Sequence, residues 1–289
     1  MLAAQEIKKQ LFVKPKDLLE ATKILSQRNF MILSGGTDIY PAHVGRSLPD
    51  SILDLSAVAE IQAISQSNLE TRIGGAVTWT ALANANLPSA FRALQTAALQ
   101  IGSVQVQNRG TIAGNLCNAS PAADGVPPLL VLDAEVELIS LSGLRRIPIA
   151  SFIQGYRKTQ IRADEILSAI IIPKTRNGES SAFVKLGARK YLVISIVMAA
   201  VLLRKDSSGR VVEARVAVGS ASEKALRLVA VERAMLGADK DQRLSTLLHQ
   251  DQLSILTPID DVRGTAKYRG DVAITLVGEA LDQAAGLLA

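Results

Sequence analysis

TIAGNLCNASPAAD, residues 111–124, is small, polar and turn-rich, yet it interrupts a chain that is 48% hydrophobic. Such a stretch packs poorly, so its composition points to a ligand rather than to a core. Thr111, Gly114, Asn115, Asn118 and Ser120 are short hydrogen-bonding or backbone-exposing residues, and Asp124 closes the stretch with a carboxylate. Hydroxyls, amides and free backbone N–H groups suit phosphate oxygens, and a carboxylate suits a ribose or another hydroxyl-bearing group. The segment reads as a loop.

A second glycine-bearing segment lies about eighty residues earlier, ILSGGTDIYP at 32–41. Gly35 and Gly36 carry no Cβ, so their N–H groups can converge on an anion. Ser34, Thr37 and Asp38 add short polar groups. By itself this segment fits an ordinary strand-end turn as well as an anion cradle. It is neither a P-loop, because no Gly-Lys-Ser/Thr follows, nor a G-x-G-x-x-G fingerprint. Taken together, the two segments could hold a dinucleotide's pyrophosphate from both sides.

The remaining composition narrows the field. Of 289 residues, 20% are charged and 3% aromatic, so the core must be built mainly from Ala, Leu, Ile and Val. The net charge of +5 is scattered, with no Lys/Arg stripe of the kind that binds nucleic acid. A single cysteine excludes an intrachain disulfide and any Cys-rich zinc or iron–sulfur site built from this chain alone. With no disulfide framework and no apolar leader, the expected location is cytoplasmic. The longest apolar run, YLVISIVMAAVLL at 191–203, is too short for a membrane span and reads as a buried strand.

Periodicity predicts a helix over 14–28, short strands at 29–33 and 51–56, and a strand–turn–helix over 69–82. A further helix runs from Pro88 to about Gln100. Strands follow near 135–141 and before Pro173, and residues 174–181 (KTRNGESS) form the best linker. Beyond it, the strands SAFVKLGAR (181–189), YLVISIVMAAVLLRK (191–205) and VVEARVAVGS (211–220) read as a meander, with DSSG (206–209) as hairpin loop. Helical patterns follow at 223–236 and 265–288, the latter with Val272, Leu276, Ala280 and Leu281 inward. Trp79 reads as core packing and Cys117 as a small buried residue. His43 and His249 lack a second ligand at metal spacing.

SGGTDI (34–39), GSVQVQNRGTIAGNLCNASPAAD (102–124) and GYRKTQIRADEIL (155–167) together resemble the FAD-binding medium subunit of the molybdenum hydroxylases, over essentially the whole chain. The resemblance implies that Ser34, Gly35, Gly36, Thr37, Asp38 and Ile39 cradle the FAD pyrophosphate from one side. It places Thr111, Gly114 and Asn115 on the other side, and Asn118, Ser120 and Asp124 further along the cofactor. Ile101 and Leu167 match apolar contacts to the flavin. Lys185 matches a lysine beside the ring, although a strand-edge surface lysine would look the same; Tyr191 is a further candidate at the ring. The sequence departs from the family at Ala113, where glycine is usual, so the backbone there must be ordinary or mildly strained.

The fold implied is α+β: a two-subdomain FAD-binding domain of the vanillyl-alcohol oxidase type over residues 1–176, its subdomains about 1–60 and 61–176. A smaller α+β domain over 178–289 follows, with a three-stranded antiparallel sheet and helices. The function implied is electron transfer. FAD is held non-covalently, while the molybdenum cofactor and [2Fe–2S] clusters lie in large and small partner subunits of a dimer of heterotrimers. A cofactor-free assembly subunit and a self-contained flavin oxidase remain open alternatives.

Overall fold

The computed structural model describes residues 11–190, 192–239 and 241–286. The N-terminal layer is a parallel sheet of β1 (Leu11–Val13), β3 (Ser51–Asp54) and β2 (Met31–Leu33), in that spatial order. Helix α1 (Leu18–Gln27) makes the crossover from β1. The helix starts at 18 rather than 14 because the Asp17 carboxylate accepts the Glu20 N–H at 2.7 Å, which makes Asp17 the N-cap. Ala21 and Leu25 then pack against Leu53, Val58, Ile61 and Ile166. From β2 the chain turns through Ser34–Asp38 into the short α2 (Ile39–Ala42).

The second layer is an antiparallel five-stranded sheet in the order β4-β5-β10-β6-β7. Its strands are β4 (Ile64–Gln66), β5 (Glu70–Gly74), β6 (Glu135–Ser140), β7 (Gly143–Pro148) and β10 (Ile166–Pro173). Between β5 and β6 run α3 (Trp79–Ala83), α4 (Arg92–Gln100), α5 (Val104–Arg109), α6 (Ile112–Asn118) and α7 (Val126–Val131). Between β7 and β10 lie α8 (Ile149–Phe152) and a small hairpin, β8 (Ile153–Gly155) with β9 (Lys158–Thr159). Segment 112–118, expected as loop, is therefore a helix. Its cap is Thr111, whose Oγ1 accepts the Gly114 N–H at 3.2 Å.

The C-terminal sheet comprises β11 (Glu179–Leu186), β12 (Val197–Lys205), β13 (Val211–Gly219) and β14 (Leu226–Arg227). It has four strands rather than the expected three; the two residues of β14 pair with Ala217 and Val218. Helices α9 (Val229–Met235) and α10 (Ala266–Gly286) cover one face. The predicted 223–236 helix breaks because tertiary bonds hold its first residues extended. Lys224 Nζ donates to the Ile153 carbonyl at 2.9 Å, and the Arg227 guanidinium bonds Asp133 at 2.8 Å.

The unbroken apolar run of β12 has a direct cause. Val197, Ala199, Val201 and Leu203 face the α9/α10 layer, whereas Met198, Ala200 and Leu202 join the large core that contains α4, α7 and the five-stranded sheet. A strand buried on both faces needs no polar alternation. The expected linker is also shorter than its composition suggested. Glu179–Ser181 belongs to β11, and Ser181 Oγ accepts the Ala93 N–H at 2.8 Å and donates to the Ala90 carbonyl at 2.7 Å. The hairpin at 206–209 is as read: Gly209 has φ +85° and its N–H donates to Asp206.

Residues 192–196, predicted as strand within 191–205, lie outside β12, which begins at Val197. Leu192 is left-handed, with φ +53°, and the Ser195 hydroxyl is drawn to Asp124. Tyr191 lies outside the described residues, as do the last residues of the predicted 265–288 helix.

Candidate functional site

A cleft of about 780 Å³ runs between the parallel sheet, the first turns of α5 and α6, the 161–167 segment and the 192–194 segment. Its size suits a dinucleotide, and its two glycine-bearing walls come from residues far apart in sequence. Of the described residues that the resemblance assigns to the cofactor, all but Lys185 line it.

The first wall is Ser34–Ile39. Gly36 has φ +74°, which disfavours any side chain there. A Cβ on Gly35 would lie 2.0 Å from the Arg109 carbonyl oxygen, so this glycine is required by the close approach of the α5–α6 junction. Among the described residues no acceptor takes the N–H of Gly35, Gly36, Thr37 or Asp38. These unmatched donors line the cleft, and an anion is the partner that suits them.

The second wall behaves differently. The expectation of free N–H groups is not met at 112–115. Ile112 N–H donates to Val77 and Ala113 N–H to Gly75, at 3.0 and 3.1 Å, and Gly114 and Asn115 bond back to Thr111. This wall therefore offers side chains and the bare face of Gly114. Ala113, the departure from the family pattern, sits in the first turn of α6 with an ordinary backbone and 9% exposure. Asn115 Oδ1 is buried without a partner, an orphaned polar atom at the edge of the cleft. Unmatched N–H groups, an orphaned amide and a dinucleotide-sized cleft together fit FAD.

Asp124 lines the cleft but is held from behind. Lys185 Nζ lies 2.6 Å from its Oδ2, and the Ser195 hydroxyl donates to Oδ1. Burial raises its pKa, opposed by the charge and hydrogen bond of Lys185 and the hydrogen bond from Ser195. Lys185 is a buried lysine rather than a strand-edge surface one; it gives its charge to Asp124 and a 3.2 Å hydrogen bond to the Gln100 carbonyl.

Cys117, expected buried, is exposed on the cleft wall. The surrounding protein nonetheless raises its pKa to about 12 by desolvation. Solvent in the cleft moderates that rise, and the thiol remains protonated at neutral pH. Trp79 is 2% exposed, as expected of core, and also reaches the cleft. His43 Nδ1 contacts only the Ile39 carbonyl, at 2.7 Å. No group of metal-ligating side chains occurs among the described residues.

Two arginines of the site, Arg157 and Arg269, escaped the sequence reading. Arg157 bonds Asn118 Oδ1 at 2.8 Å and Asp38 at 3.5 Å, tying the two walls together. Arg269, 2% exposed in α10, donates to the Ile196 and Ser220 carbonyls and to Asp261, fixing the segments that bear Ile194 and Arg263. The helical period marked inward apolar residues, and a buried arginine gives no such signal.

A glycine turn and a glycine-bearing helix around a dinucleotide-sized cleft, set between a small parallel sheet and a larger antiparallel one, define a two-domain FAD-binding α+β fold of the vanillyl-alcohol oxidase type. The family model described as "FAD binding domain in molybdopterin dehydrogenase" matches residues 5–175, and "CO dehydrogenase flavoprotein C-terminal domain" matches 182–284. The chain is 34% identical to the nicotinate dehydrogenase FAD-subunit of Eubacterium barkeri, over 78% of this chain and 79% of that one. It is 29% identical to the glyceraldehyde dehydrogenase medium chain of Sulfolobus acidocaldarius, over 95% and 98% of the two. The structure superposes on CO dehydrogenase from Oligotropha carboxidovorans with a TM-score of 0.89 at 26% identity, covering 96% of this chain and 97% of that one. The chain belongs to the FAD-binding subunits of the molybdenum hydroxylase family. It is an oxidoreductase subunit that binds FAD for electron transfer.

Proposed function

We propose that the Gly35–Asp38 N–H groups, with Ser34 and Ile39, hold the FAD diphosphate. Gly114, Asn115, Asn118 and Ser120 face it from α6 and its C-terminal turn, and Thr111 shapes that wall as the cap. Ile101 and Leu167 supply apolar contacts, and Asp124, kept rigid by Lys185 and Ser195, accepts from a cofactor hydroxyl. The observation that carries this reading is the row of unmatched N–H groups on the cleft. Bound FAD supplies the redox chemistry; this chain supplies position and electrostatics. Attachment is non-covalent: Cys117 stands on the α6 wall that faces the diphosphate rather than the ring, and His43 is engaged with the Ile39 carbonyl.

The division at about 176–178 separates an FAD-binding domain, with subdomains meeting near residue 60, from a C-terminal domain that closes the cleft. The partners are a small iron–sulfur subunit and a large molybdenum-cofactor subunit, assembled in the cytoplasm as a dimer of heterotrimers. Among the described residues no helix is long and apolar enough to cross a membrane. Affinity capture of the full chain from its native host tests this reading. Flavin absorption near ~450 nm and recovery of both partners are the expected result. Flavin without partners would favour a self-contained oxidase, and partners without flavin an assembly subunit.

A further inference from the structure

The cleft wall carries five ionisable side chains of Asp, Glu, Lys or Arg: Asp38, Asp124, Glu165, Arg162 and Arg263. Four have partners of opposite charge behind the wall. Asp38 pairs with Arg157 at 3.5 Å, Asp124 with Lys185 at 2.6 Å, Glu165 with Arg145 at 2.5 Å and Arg263 with Asp261 at 2.7 Å. Arg162 differs. Its backbone N–H donates to Glu165 Oε2 at 2.8 Å, which fixes the turn before β10. Its exposed guanidinium makes no hydrogen bond or ion pair among the described residues. Asp164 and Glu165 are the nearest acids in sequence, but Glu165 is held by both nitrogens of Arg145 and neither acid bridges to Arg162. The wall therefore presents one positive charge without a hydrogen bond or ion pair of its own; it is attracted to Glu165, whose carboxylate is already held by Arg145.

Oxidised FAD carries its formal negative charge on the diphosphate alone; the flavin, ribityl, ribose and adenine portions are neutral. A planar guanidinium offers paired donors suited to phosphate oxygens. We infer that Arg162 is a diphosphate-binding residue of this cleft, facing the oxygens that the Gly35–Asp38 N–H groups leave free. The inference rests on the FAD reading above. It assigns the diphosphate a charge contact from the 161–167 segment in addition to the glycine turn.

The test uses the full chain stripped of flavin, with FAD, ADP and adenosine as probes. Arg162→Gln is expected to weaken FAD and ADP binding about tenfold at low ionic strength and to leave adenosine within about twofold. The FAD and ADP losses should shrink in roughly 0.5 M salt, because an exposed charge is screened. Arg162→Lys should recover part of the loss. The ligand-free thermal midpoint of Arg162→Gln should stay close to the wild type, since the exposed guanidinium makes no hydrogen bond or ion pair and loses only a solvent-screened attraction to Glu165. Unchanged ADP affinity, or an equal loss for adenosine, would overturn the inference. Failure of the wild-type chain to bind FAD or ADP at all would instead overturn the cofactor reading beneath it.

Discussion

The Lys185 ammonium lies 2.6 Å from Asp124 Oδ2, with both side chains less than a tenth exposed. Lys185 stands on β11 and Asp124 just before α7, so a buried ion pair joins the C-terminal sheet to the wall of the FAD cleft. The Ser195 hydroxyl completes the carboxylate's partners.

Removing one member of this pair leaves a charge in a low-dielectric site. Lys185→Met should cost about 3 kcal/mol, with Asp124 taking up a proton to limit the damage. Lys185→Met combined with Asp124→Asn should cost less than the two single changes added together. Chemical denaturation of all three variants measures this, and additive losses would show that the pair is not coupled.

The two glycines of the first wall should fail differently. A side chain on Gly35 meets the Arg109 backbone at 2.0 Å, so Gly35→Ala should lower the thermal midpoint of the ligand-free chain strongly. At Gly36 the nearest atom is the Tyr40 ring at 2.6 Å, and that half-exposed side chain can move. Gly36→Ala should therefore cost only the left-handed penalty of about 1–2 kcal/mol. Gly36→Val should yield folded protein with FAD affinity reduced by tenfold or more, as flavin fluorescence titration would read, by roughly 1.4 kcal/mol per decade. Equal losses of ligand-free stability at the two positions would contradict this assignment.

The single tryptophan, Trp79, reaches the cleft from the core. Its emission should be quenched on FAD addition and saturate at one flavin per chain. Cys117, also the only residue of its kind, should be alkylated slowly at pH 7, faster as the pH rises, and more slowly still with FAD bound. Quenching without protection of Cys117 would mean that the cofactor leaves the α6 wall open.

Glu165 sets an acid limit. Burial raises its pKa, but the Arg145 hydrogen bond and charge and the Arg162 N–H outweigh it, so the folded value lies below the ordinary 4.5. A lowered carboxylate contributes stability that is present above its unfolded pKa and lost as pH falls through the folded one. Between pH 5 and pH 3, Glu165→Gln should therefore lose less stability than the wild type. Urea denaturation at stepped pH reads the slopes, and parallel acid limbs would remove Glu165 from the account.

The amino-acid sequence by itself determined the outline. The composition of 111–124 and the SGGTD turn marked both cleft walls, because small polar residues and paired glycines serve few purposes other than close approach. The apolar run before Arg204 marked β12, since a strand buried on both faces leaves an uninterrupted hydrophobic stretch. What only the tertiary structure decided was which groups are already satisfied. The α6 N–H groups bond Val77, Gly75 and Thr111, and Lys185 bonds Asp124 rather than lining the cleft. Strand β12 starts at Val197 because Ser195 is taken by Asp124 and Ile196 by Arg269. Local pattern reports what a residue can donate or accept. The partner that takes it is brought from another part of the chain by packing, and no spacing along the chain encodes that meeting.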